Sequence, residues 1–135
     1  MKRLVLAVCG LGLLTLAVPV SAQGDKLTVK EIMGKVNKGP GALFPTIRKG
    51  LNADSPDWPD LQKQAKELAT LVDSLGKKEP PRGEKASWSK HTKDYLAETK
   101  ALADAAQKKD KEGMIAVHIK LTKACTACHN AHRPQ

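Results

Sequence analysis

Cys125, Cys128 and His129 are the residues of this chain whose types and spacing could do chemistry together, in the run Cys125-Thr126-Ala127-Cys128-His129. Cysteines three positions apart fall on one face of a helical turn, and a histidine follows directly. That spacing lets two thiols add across the two vinyl groups on a porphyrin edge while the adjoining imidazole becomes an axial ligand of the iron. The expectation is one covalently attached haem c, carried by Cys125 and Cys128, with His129 as the proximal ligand.

Other uses of Cys-x-x-Cys fit less well. A zinc site needs four ligands, so two cysteines would need two histidines, and no pair among His91, His118, His129 and His132 has finger-like spacing. A thioredoxin-like dithiol belongs at a strand-to-helix junction opening a βαβ unit, and no such pattern precedes the motif.

The other end of the chain indicates the compartment. Met1 to Ala22 has a short positive start at Lys2 and Arg3, an apolar run from Leu4 to Val18, and a small-residue cleavage site at Val20-Ser21-Ala22. This reads as a signal peptide over residues 1–22, directing an exported, periplasmic protein. The run is short for a membrane span and no stop-transfer charges follow it, so no stable span is expected. Cys9 falls too early, after the bulky Val8, to read as a lipoprotein cysteine.

Cleavage leaves residues 23–135 as one domain, with both remaining cysteines in the motif. Its stability is then expected from helix packing and the haem, with no disulfide staple. Loss of Lys2 and Arg3 lowers the formal charge from +9 to +7. On an exported chain that balance excludes nucleic acid as the natural partner and favours acidic proteins or an anionic surface, with solubility as the plain alternative. The only aromatics are Phe44, Trp58, Trp88 and Tyr95. A buried porphyrin would supply the flat apolar bulk they usually give a core.

The elements that must position the motif read as helices. Thr28 and Glu31 form a capping box that starts the first helix, with Val29, Ile32, Met33 and Val36 on its apolar side. Gly39-Pro40-Gly41 breaks it, and a second segment runs from Ala42 to Leu51. Ser55-Pro56-Asp57 is expected to open the next helix, whose apolar positions Trp58, Leu61, Ala65, Leu68, Val72 and Leu75 lead to Gly76. A loop over Lys77 to Gly83 precedes a helix from Lys85 to Gln107. Asp110 then caps a last helix, with Met114, Val117, Leu121, Ala124 and Cys128 on one stripe. No stretch alternates with period two over enough residues to make a strand. The expected fold is all-α, an antiparallel four-helix bundle whose first helix is broken at Gly39-Pro40-Gly41. That topology brings Met33 towards the haem face opposite His129.

A four-helix chain with Cys-x-x-Cys-His on its last helix resembles the class II c-type cytochromes, the cytochrome c prime family and its low-spin relatives. In that family the motif continues Cys-His-x-x-aromatic-basic. Here Arg133 matches the basic position beside the haem, and His132 stands where the family has an aromatic. The resemblance implies a methionine on the first helix as sixth ligand in low-spin members, a role open to Met33, whose alternative is a core methionine filling a gap. His91 is the other candidate for that position. A six-coordinate member is an electron carrier between a redox donor and acceptor, not an enzyme. A five-coordinate one binds nitric oxide or carbon monoxide. The family also admits a homodimer. Lys120 and Lys123 are expected around the docking edge, with Arg48, Arg82 and Arg133 as candidate partners of the haem propionates.

Overall fold

A computed structural model describes residues 25–134; the expected signal peptide and its cleavage site lie outside the described residues. Five helices and no strand are present among them: α1 (Val29–Asn37), α2 (Leu43–Leu51), α3 (Trp58–Gly76), α4 (Lys85–Gln107) and α5 (Lys111–His132). None of the described helices is long and apolar enough to cross a membrane.

The local chemistry of the helix ends explains their positions. At α1 the Thr28 side chain accepts from the Glu31 N–H at 3.3 Å while the Glu31 carboxylate accepts from the Thr28 N–H at 2.8 Å. Two otherwise orphaned donors are thereby satisfied. Gly39 and Gly41 take φ of +95° and +84°, which L side chains resist, and α1 and α2 stand as separate helices on either side. The opening of α3 differs from the sequence expectation. Asp57, not Ser55, is the cap, and its carboxylate accepts from the Asp60 N–H at 3.1 Å. A helix begun at Pro56 would put Pro59 in the second turn, where its missing N–H and its ring oppose the ladder. Begun at Trp58, it places Pro59 in the first turn, where no N–H is needed.

Buried side chains at helical spacing join these elements into one core. Ile32 and Val36 come from α1, Leu43, Ile47 and Leu51 from α2, and Leu61, Leu68 and Val72 from α3. Trp88, Tyr95 and Leu102 come from α4, and Met114 and Leu121 from α5. The principal seams run α3 to α4 and α4 to α5, with α2 between α3 and α5 and α1 against α2 and α3. Polar ties fix the directions. At one end the Trp88 indole N–H donates to the Lys78 carbonyl at 2.8 Å, and Lys78 Nζ donates to the Asp25 carbonyl at 2.6 Å. At the other, Gln62 Nε2 donates to the Ala106 carbonyl at 3.1 Å and Lys111 Nζ to the Ala53 carbonyl at 3.0 Å. The start of α1, the α3–α4 loop and the end of α5 therefore share one end of the molecule.

Candidate functional site

The motif is positioned by α5. Asp110 caps it by accepting from the Gly113 N–H at 2.9 Å. From there Met114, His118, Leu121, Cys125, Cys128 and His132 follow one another in steps of four and three, one continuous inward stripe. Cys125 and Cys128 are free thiols, half-buried and packed against the core. Burial pushes both thiols up from their ordinary pKa. At Cys125 the Tyr95 hydroxyl opposes that rise, while at Cys128 the neighbouring Cys125 adds to it. Both are protonated at neutral pH, the reverse of an activated redox dithiol.

Tyr95 comes from the facing side of α4. Its hydroxyl is buried against the Cys125 thiol, which it meets outside good hydrogen-bond geometry; burial, with the two thiols adding, carries its pKa well above the usual phenol value. A buried hydroxyl with only a weak thiol contact is costly, so the seam is under-satisfied beside the two sulfurs. Inward-turned sulfurs one turn apart, with a weakly satisfied phenol beside them, fit a group attached at this point of the α4–α5 seam. Among the described residues no set of three or more His, Cys, Asp or Glu is gathered to hold a metal ion by side chains alone.

His129 is half-buried in the last turn of α5, and its carbonyl accepts from the Arg133 N–H at 3.0 Å. Arg133 itself is the exposed C-cap residue. His132 is 2% exposed. Its Nδ1–H donates to the Arg82 carbonyl at 2.7 Å, leaving Nε2 to accept from the Ser87 hydroxyl at 3.2 Å. Its ring meets Trp88 edge-on at 5.3 Å. The Arg82 guanidinium donates to the Asn130 carbonyl at 2.9 Å. The loop and the end of α5 thus hold each other in both directions, and Arg82 serves that tie.

Met33 lies in the second turn of α1, half-buried against the core. It is at the same end of the molecule as His129, but α1 takes its principal packing from α2 and α3. His91 is half-buried on α4 with its ring edge 5.7 Å from that of His132. Arg48 lies apart from the motif, beside Leu51, Ile115 and His118.

The contacts of two participants, His132 with Arg82 and Tyr95 with Cys125, were not read from sequence. His132 could have been found by extending the α5 stripe in steps of three and four. That Tyr95 faces Cys125 depends on the register between α4 and α5. Comparison with family models, with curated proteins and with solved structures returned no match.

Proposed function

We propose that this chain is an exported monohaem c-type cytochrome that carries one electron between redox proteins. On this reading α1 and α2 are the two halves of the first rod of an antiparallel four-helix bundle. Cys125 and Cys128 would hold the haem through their sulfurs, and His129 and Met33 are the side chains that would bind its iron. When bound, the haem supplies an iron that gains or loses a single electron. The observation that carries the reading is the Cys-x-x-Cys-His run on α5 with both sulfurs half-buried on its inward stripe. The buried, weakly satisfied Tyr95 hydroxyl beside them supports it.

The chain's own residues divide the remaining work. The His132–Arg82 clasp fixes the last turn of α5 and so steadies the backbone that carries His129. Trp88, Thr92 and Tyr95 line the buried side of α4 and keep water from that seam. A histidine–methionine iron has no open position for a substrate, which suits electron transfer.

The packing of α1 favours one alternative. Because α1 lies on α2 and α3, Met33 is not tied to α5, and an iron without its sulfur would be five-coordinate and open to nitric oxide or carbon monoxide. Absorption spectra of the mature protein and of Met33→Ala separate the two. The first reading expects a low-spin wild type with a weak sulfur-to-iron band in the red, and a variant that turns high-spin. A high-spin, carbon-monoxide-sensitive wild type establishes the second. An unchanged low-spin variant removes Met33 from the iron.

A further inference from the structure

The surplus positive charge of residues 23–135 is not spread over the molecule. Every carboxylate is either Asp25, Glu31 or within 54–112. Residues 32–53 carry Lys35, Lys38, Arg48 and Lys49, residues 113–135 carry Lys120, Lys123 and Arg133, and neither stretch has an acid. Those cations equal the whole net charge of +7, and the rest of the chain is balanced.

The fold brings the two stretches together. His118 Nε2–H on α5 donates to the Phe44 carbonyl of α2 at 3.2 Å, and the two rings stack at 3.8 Å. Beside this seam runs a groove of about 380 Å³, with Leu51, Ile115, Ile119 and Thr122 along it and Arg48 and Lys123 among its lining cations. Ile115 and Ile119 are 38% and 55% exposed, the large hydrophobic side chains that stand open among the described residues. Thr122 and Lys123 precede Cys125 by one turn or less, so one end of the groove adjoins the motif.

We propose that this α2–α5 groove is the docking surface for an acidic redox protein; the proposal rests on the haem reading above and says where the electron enters or leaves. An apolar centre with a charged rim is the make-up of a transient protein interface. Two isoleucines are too small an apolar face to hold a membrane surface. A second copy would set like charges against one another. A carboxylate-rich partner with a small apolar prominence meets both features.

The test uses the ¹⁵N-labelled mature holoprotein titrated with an acidic blue-copper protein, and in parallel with vesicles of phosphatidylglycerol in phosphatidylcholine. The proposal expects amide shifts on addition of the copper protein to cluster at Arg48, Asn52, Ile115, Ile119 and Lys123. It expects Lys123→Glu and Ile119→Asp each to slow reaction with the copper protein about tenfold at low salt, with an unchanged haem spectrum. The difference should shrink as salt brings the screening length below about 10 Å. Shifts on the α3–α4 side, groove shifts with vesicles alone, or variant rates equal to wild type overturn the surface while the Soret band shows the haem reading intact. A colourless preparation overturns the haem reading itself, and the proposal with it.

Discussion

At His118 the chain buries a titratable ring whose neutral form the fold prefers. Burial lowers its pKa from 6.5, and the hydrogen bond to Phe44 only partly opposes this. Between the two values the unfolded chain binds the extra proton, so this contribution to stability is complete above pH 6.5 and is lost as the pH falls through the folded value. Wild type should therefore lose urea resistance more steeply than His118→Gln as the pH drops from 6.5 towards about 5, because glutamine keeps a donor and cannot titrate. Parallel curves would contradict this. At this scale the sequence presented the candidate residues and missed their neighbours. Cys125, Cys128 and His129 are read from three adjacent types. The Tyr95 hydroxyl at Cys125 and the clasp of His132 on Arg82 join residues far apart in the chain, and only the packed register brings them together.

Among the helices, the ends were the most legible feature, because caps are local chemistry. Thr28, Asp110 and the bounds of α4 agree with what their residues predict. Asp57 displaced Ser55 because two prolines offered two starts and only one leaves Pro59 in the first turn. The α3–α4 loop is the element on which the motif's helix end most depends. Gly83 has φ +80°, and a Cβ there would come 2.9 Å from the Ala131 carbonyl oxygen and 3.1 Å from His132 Nδ1. Gly41 has a similar φ of +84° with nothing within 4 Å. Gly41→Ala should cost about 1 kcal/mol from backbone strain alone. Gly83→Ala should cost about 2 kcal/mol or more, since the end of α5 must shift as well. Urea unfolding measures both, and equal losses would mean that the loop does not clamp α5.

For the whole molecule, the all-helical class was visible in the spacing of apolar residues, and the separation of α1 from α2 in Gly39-Pro40-Gly41. How α1 sits was not, because that follows from which faces of α2 and α3 remain free once the long helices have packed. The charge asymmetry was present in the sequence, but it became a surface only when α2 met α5. The proposed function stands or falls on a haem joined to α5 through Cys125 and Cys128. Mass spectrometry of the exported mature protein, made in a host able to attach haem and paired with its absorption spectrum, tests this most directly. The account predicts a polypeptide heavier by one haem, with a Soret band that survives denaturation, and Cys125→Ala/Cys128→Ala without either. A colourless wild-type protein at the mass of the bare chain would contradict it.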